Sequence, residues 1–433
     1  MSESKQGVDV IIIGGGVNGL FTALDLSLRG FSVALLERGA VGSGTSDKMH
    51  GLLHSGARYA VTDPKAAAEC ASENEIISKI APHAVDDTGG LFVAVDKADL
   101  EFAERFLKGL DAAGIRHEET DPRETAREEP FLTPEAKLVV RVPDKVVRAR
   151  ELMGSAALAA HDAGALIIQD AEVVGIETGG GEVGAVIVRD ALSGDNKRLE
   201  ARAVVNAAGP WAPRVAAMAG IQVDVMATMG VMVVYDKLLS NAVLNRMRVP
   251  SDGDIILPYG GRSVAGTTAL IVEDPDSVEI SEEDVELITR EAAALVPAIA
   301  KARPVRAYAS VRPLIKMEGV DGREATRDFA IVRHARPRNL ITIIGGKFTT
   351  GRLVGERAGN EAAAILGSDK PSRTAEHLLP GDPYERARDL EPYLRSAVTS
   401  LRGSMDEEHG RTAAYTALLG AISRESRRRL GWS

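Results

Sequence analysis

Apolar positions along the chain fall into strand-like runs alternating with helical spacing. Residues 8–13, VDVIII, are a β-branched run of strand length. GGGVNG follows at once, and LFTALDLSLRG then carries apolar residues at helical intervals. A second strand run, FSVALLE, spans 31–37. Further on, the pattern predicts a helix over 64–80, a strand over 90–96 and an amphipathic helix over 98–113. The acidic stretch 119–130 reads as loop, 137–144 as a returning strand and 151–164 as a small-residue helix. ALIIQDAEVVGIET and GEVGAVIVRD predict a hairpin. The strand VVNAAG (204–209) then ends in small residues, as where a backbone closes on a ligand. Short runs between 226 and 270 (VMVVYD, DIILPY, SVAGTT) predict an antiparallel sheet. A helix follows over 282–299, and NLITIIGGKFTT (339–350) repeats strand, glycine, helix, the helix ending near 366. After 368 the composition suggests a small helical appendage ending in the basic RRRL.

A chain of 433 residues exceeds what one hydrophobic core usually holds. The expected class is α/β, with a discontinuous Rossmann-type dinucleotide-binding domain from 1–90, 145–225 and 325–370. An antiparallel-sheet substrate domain would come from 91–144 and 226–324, and a C-terminal helical segment from 371–433. The formal charge of −10 argues against broad nucleic-acid binding. The single cysteine, Cys70, rules out an internal disulfide and a cysteine-ligated zinc or iron–sulfur centre, so no metal site is expected and a reducing, cytoplasmic setting fits. MSESKQGVD lacks the apolar core of a signal peptide, and no run reaches the ~18–20 apolar residues of a membrane span. Peripheral membrane contact needs no such run.

The candidate chemistry starts at the first turn. Gly14, Gly16 and Gly19 give GxGxxG between a strand and a helix. The three glycines serve the tight turn, the approach of a pyrophosphate and close helix–strand packing, with the phosphates at the helix's positive end. Glu37, ending the second strand, can accept from an adenosine ribose and disfavours a 2′-phosphate. Beyond it, Arg38 leads into a small, hydroxyl-rich loop with Gly44, Thr45 and Ser46. Such a second loop suits the long FAD molecule better than NAD. Then comes HGLLHSGARYAV (50–61), where His50, His54, Arg58 and Tyr59 sit among small and apolar residues. It is either an odd core segment or the wall of a site.

Taken together, GGGVNG, HGLLHSGARYAV, VNAAGPW, YASVRPL and IGGKFTT resemble the FAD-dependent glycerol-3-phosphate dehydrogenases, within the D-amino-acid-oxidase-like flavoproteins. HGLLHSGARYAVTD and NRMRVPSDGDIILP are most similar to the catalytic subunit of the anaerobic type. The likeness covers roughly residues 8 to 385. It implies hydride transfer from carbon 2 of glycerol 3-phosphate to flavin N5. It also implies a cofactor wall that adds Asn18, Gly51, Leu52, His54, Val173, Ala208, Gly209, Trp211, Gly346, Lys347, Phe348, Thr349 and Thr350. Arg58, Arg312 and Lys347 would bind the phosphate or hydroxyls, with Tyr59 adding a hydroxyl and His54 a proton-handling ring. These five residues include the expected catalytic set: His54, Arg58, Arg312 and Lys347. Electrons would leave to a quinone or a partner electron-transfer subunit, at the inner face of the membrane. The cysteine-rich tail of the anaerobic type has no counterpart here, which implies another exit route.

The chain also departs from the family. MGV stands where KGS is common, placing Met229 and Met232 on the expected substrate face. TTGR puts Gly351 in place of Tyr, and PDKVVRA puts Lys145 and Arg148 in an acidic loop. These changes keep two alternatives open: a same-fold flavin oxidase or dehydrogenase for a 2-hydroxy acid or amino acid, and a non-catalytic flavin-binding subunit.

Overall fold

The computed structural model describes residues 7–316, 328–386 and 407–432. Three elements open it: strand β1 (Gly7–Ile13), helix α1 (Val17–Leu28) and strand β2 (Val33–Leu36). β1 pairs in parallel with β2 on one side and with the long strand Asn196–Asn206 on the other. That long strand divides its free edge. Its first half pairs antiparallel with the hairpin strand Glu182–Asp190, and its last residues pair in parallel with Leu340–Gly345. Leu166–Ile168 extends the sheet beyond β2, Phe329–Arg333 extends it beyond Leu340–Gly345, and Ala171–Gly179 completes the hairpin, giving eight strands among the described residues. β1 and β2 carry the buried apolar runs VIII and VALL, where both faces of the sheet are covered. One face packs against α1 and the helices Ala149–Asp162 and Gly351–Ile365, around Leu20, Phe21, Leu24, Ala156 and Ala358.

α1 and the Gly351–Ile365 helix approach closely through glycine. A Cβ on Gly355 would lie 2.6 Å from the Phe21 backbone, and one on Gly351 2.6 Å from Val17. Behind that contact sits a buried pair. Arg352 Nε donates to Glu73 Oε2 at 2.8 Å, tying the helix to α2 (Pro64–Ile80).

Among the described residues a nine-stranded sheet forms the second layer, with Val225–Tyr235 running antiparallel to Pro304–Ile315 over most of their length. Its pairings are antiparallel except one: Val243–Arg246 lies parallel to Gly90–Ala94. Two expected elements change. Residues 119–130 do not form a loop throughout: Glu118–Thr120 adds an edge strand, and Asp121 caps the short helix Pro122–Glu128. The acidic composition concealed an N-cap followed by proline, which starts helices. The helix expected over 282–299 stops at Ala293, and a 3-10 turn Pro297–Lys301 follows.

The C-terminal helix Glu407–Arg429 packs on the Ala149–Asp162 helix and the Leu166–Ile168 strand. Its basic end does not face solvent throughout: Arg427 is buried and pairs with Asp190 at 2.5 Å. Residues 387–406 of the expected helical segment, and the 324/325 boundary, lie outside the described residues. Among the described residues no helix is long and apolar enough to cross a membrane, and no cluster of His, Cys, Asp or Glu could hold a metal ion.

Candidate active site

A cavity of about 1430 Å³ is lined by residues of both large sheets. It exceeds the ~300–1,000 Å³ of an ordinary small-molecule pocket. One end is formed by the first glycine turn. Gly14 has φ +111, and its Cβ would collide with the Ala207 carbonyl 2.6 Å away, so only glycine fits there. α1 begins at Gly16 without a side-chain cap, and Ser46 Oγ instead accepts from Val17 N–H at 3.0 Å. Glu37 lies beneath the turn and accepts from Gly15 N–H at 2.7 Å and Gly39 N–H at 2.9 Å. Burial pushes its carboxyl up, and those amides offset this only in part.

The second, hydroxyl-rich loop is held by the nine-stranded sheet. Thr45 Oγ1 donates to the Val311 carbonyl at 2.6 Å, and Ser310 Oγ to the Thr45 carbonyl at 3.2 Å. At the outer end Arg38 stacks 4.2 Å from the Trp211 ring centre and pairs with Asp276 at 2.8 Å. Trp211 Nε1 also donates to Asp276, at 2.9 Å.

The other end gathers the cations. Arg58 follows the left-handed Gly56, whose Cβ would strike the Ala67 carbonyl of α2 at 2.1 Å. Its Nη2 lies 3.3 Å from Asp254 Oδ2, and the side chain is 11% exposed. Arg312 Nη2 donates to Thr267 Oγ1 at 2.6 Å and to the Thr268 carbonyl at 2.8 Å. Lys347 Nζ sits 4.8 Å from the centre of the Tyr59 ring. Two histidines lie between them. The rings of His50 and His54 are 5.5 Å apart and edge-on, and His54 lies 5.3 Å from Tyr59. Leu52 N–H donates to His50 Nδ1 at 2.9 Å, so neutral His50 carries its proton on Nε2. Burial, then Arg312 and Arg58, push His50 down to about 3, and the ring is neutral at physiological pH. His54 N–H donates to Thr349 Oγ1 at 3.1 Å, joining the two loops that carry Arg58 and Lys347.

Most of the expected site residues line this cavity: Gly14, Gly16, Asn18, Glu37, Arg38, Gly44, Thr45, Ser46, Leu52, His54, Arg58, Tyr59, Val173, Ala208, Gly209, Trp211, Arg312, Gly346, Lys347, Phe348 and Thr349. Three stand behind it. Gly19 packs under the Gly14 carbonyl, and Gly51 packs under the Tyr259 ring. Thr350 shapes the turn, its Oγ1 accepting from Lys347 N–H at 3.2 Å. Of the departures from the family pattern, only Met232 reaches the cavity. The others are corrected. Met229 is buried in the sheet's far core, and Gly351 faces Val17. Lys145 donates to Ser78 at 2.8 Å, and Arg148 pairs with Glu151 at 3.1 Å. Met229 and Met232 are three apart on the strand Val225–Tyr235 and so point to opposite faces.

Sequence reasoning missed Arg306, Tyr308 and Ser310, which line the cavity with Arg312. The signal was available. These residues are two apart on one strand and share a face.

FAD fits these residues. The glycine turn admits a backbone-close pyrophosphate, and the helix starts at Gly16 and Thr350 lack side-chain caps. The buried Oδ1 of Asn18 lacks a hydrogen-bond partner among the described residues, which suits a ligand donor. The volume accommodates a dinucleotide with a substrate beside it.

The family profile "FAD dependent oxidoreductase" (DAO) matches residues 9–360. An anaerobic glycerol-3-phosphate dehydrogenase subunit of Escherichia coli K12 is 39% identical over 96% of this chain and 78% of its own length. The corresponding Haloferax volcanii protein is 36% identical over 99% of this chain and 72% of its own. The fold is similar to that of Bacillus halodurans glycerol-3-phosphate dehydrogenase solved with FAD, at TM-score 0.69, 23% identity, and coverage of 100% of this chain and 81% of that one. With that cofactor cradle and that identity across nearly its whole length, the chain belongs to the FAD-dependent oxidoreductases and, among them, to the anaerobic glycerol-3-phosphate dehydrogenase type.

Proposed function

We propose that the protein oxidises glycerol 3-phosphate, or a close phosphorylated polyol, to the corresponding ketone. The observation that carries this is the convergence of Arg58, Arg312 and Lys347, from three distant segments, on one end of the cavity. Three cations match a dianionic phosphate, whereas a carboxylate needs fewer. The named activity of the E. coli and H. volcanii relatives supports the same substrate. We assign the FAD site to 1–90, 145–225 and 325–370, and the substrate side to 91–144 and 226–324.

Bound FAD supplies the acceptor for the hydride that leaves carbon 2. The chain's own residues do the rest. Arg58, Arg312 and Lys347 hold the phosphate and hydroxyls, and Tyr59 packs beneath Lys347. The hydroxyl proton passes to His54. His50 is unsuited to take it, because its Nδ1 is occupied and two guanidiniums disfavour its cation. It donates from Nε2 instead. The amino end of the Gly351–Ile365 helix favours negative charge developing at the cofactor end.

Electrons then pass to a quinone or a partner electron-transfer subunit, with the protein cytoplasmic and held at the inner face of the membrane. The relatives' designation as subunits supports a partner. The test is an anaerobic substrate panel on the purified yellow protein. Glycerol 3-phosphate should bleach the flavin band. Bleaching by 2-hydroxy acids or amino acids, and not by glycerol 3-phosphate, would overturn the reading.

A further inference from the structure

The loop Arg248–Asp254 turns around one buried carboxylate. Asp254 is fully buried at its side chain, and its two oxygens divide their partners. Oδ2 faces Arg58 Nη2 at 3.3 Å and accepts from Ser251 N–H. Oδ1 accepts from Arg248 Nε at 2.8 Å. Arg248 Nη2 continues to Glu291 Oε2 at 3.0 Å, on the Glu282–Ala293 helix. Gly253 permits this seating, since a Cβ there would lie 2.6 Å from Glu291 Cβ. The result is a chain of alternating charge, Arg58, Asp254, Arg248, Glu291, running from the cavity wall to the helix. Ser251 and Asp252 of the same loop line the cavity.

From this geometry we infer that Asp254 is a positioning residue for Arg58. A lone carboxylate against Arg58 would fix it and cancel its charge. Arg248 engages the other oxygen, so Asp254 is shared between two guanidiniums and Arg58 keeps positive potential toward an anion. Only Nη2 of Arg58 is bound to the carboxylate, which leaves the rest of the guanidinium's donors available to phosphate oxygens. The inference rests on the proposed function and deepens it.

The test separates position from charge. Asp254→Asn removes a negative charge beside the anion site. If charge alone mattered, KM for glycerol 3-phosphate would fall. Positioning predicts that KM rises by about tenfold or more with kcat changed far less. Asp254→Glu keeps the charge and displaces the carboxylate by one methylene, and is expected to raise KM as well. Glu291→Gln removes an equal charge without touching Arg58, and KM is expected to fall slightly. In an Arg58→Met background, Asp254→Asn should cost little more, because both act through one guanidinium. Additive losses, or a lower KM in Asp254→Asn, overturn the inference. Should glycerol 3-phosphate fail to bleach the native flavin, the proposed function fails first. Asp254 is then tested by titrating native protein and variants with inorganic phosphate, read by the flavin spectrum. Weaker phosphate binding in both Asp254 variants upholds the positioning role, and equal or tighter binding in them refutes it.

Discussion

Arg352→Met is predicted to cost stability in a way that depends on pH. The guanidinium and its partner Glu73 are 3% and 2% exposed, so neither charge has water to fall back on. Burial already pushes the Glu73 carboxyl up, and Arg352 opposes that shift. Without Arg352 the stranded carboxylate has one cheap escape, which is to take a proton. At pH 7 that costs about 1.4 kcal/mol for each unit above the ordinary glutamate value of 4.5, or about 3.4 kcal/mol. This agrees with the ~3–5 kcal/mol usual for breaking a buried pair. The other lost contacts, to Glu356 at 2.6 Å and Thr374 at 2.9 Å, add less, since Glu356 is 28% exposed. The sign follows from linkage. In the variant, folded Glu73 binds a proton that the unfolded chain releases above pH 4.5. Stability relative to the native protein should therefore fall as pH rises, by up to about 1.4 kcal/mol per unit. Denaturant unfolding of the flavin-loaded proteins between pH 5 and 7.5 measures it. The double variant Glu73→Met/Arg352→Met should recover most of the loss. A pH-independent cost, or a double variant as unstable as the single, would refute the reasoning.

Three further outcomes are expected. Arg312→Lys keeps the charge but loses the fork that grips Thr267 and the Thr268 carbonyl, and kcat/KM should drop by about 10–100-fold, equivalent to ~1.4–2.8 kcal/mol. Gly355→Ala gains up to ~1 kcal/mol of helix propensity but meets the Phe21 backbone at 2.6 Å, where overpacking costs ~1–3 kcal/mol. It should lower the melting temperature and weaken FAD retention, read by ultrafiltration. Burial, with Arg411 and Arg148, pushes His83 down to about 4, so its contribution to stability is present above pH 6.5 and lost as pH falls toward 4. His83→Asn should flatten the acid limb of a melting-temperature profile, and an unchanged limb would count against it.

The elements legible in the sequence were those whose signal is local. The run from VDVIII to the glycine turn and α1 combines a largely buried strand with a turn that only glycine allows at Gly14. HGLLHSGARYAV was half legible, as a core segment or the wall of a site, and the structure places His50, His54, Arg58 and Tyr59 on the cavity wall. Illegible positions depended on pairings between distant segments. Tyr308 reaches the site because Pro304–Ile315 pairs with Val225–Tyr235, about 80 residues away in sequence. The short helix Pro122–Glu128 was hidden because its cap, Asp121, looks like any other acid in an acidic stretch. The role of Glu37 was only half legible. Its position beneath the turn could be read, but two amides already use it.

The strand Asn196–Asn206 has a consequence for how the protein is made. It stands between β1, which is synthesised before it, and Leu340–Gly345, which is synthesised after it. While the nascent chain still ends short of Leu340, the glycine turn stands without the strand Leu340–Gly345 and the helix Gly351–Ile365 that pack beside it. The part of the cavity wall that Gly346, Lys347, Phe348 and Thr349 supply is therefore completed only after that segment has emerged. Until then the open edge of Asn196–Asn206 is a template for pairing with another nascent chain.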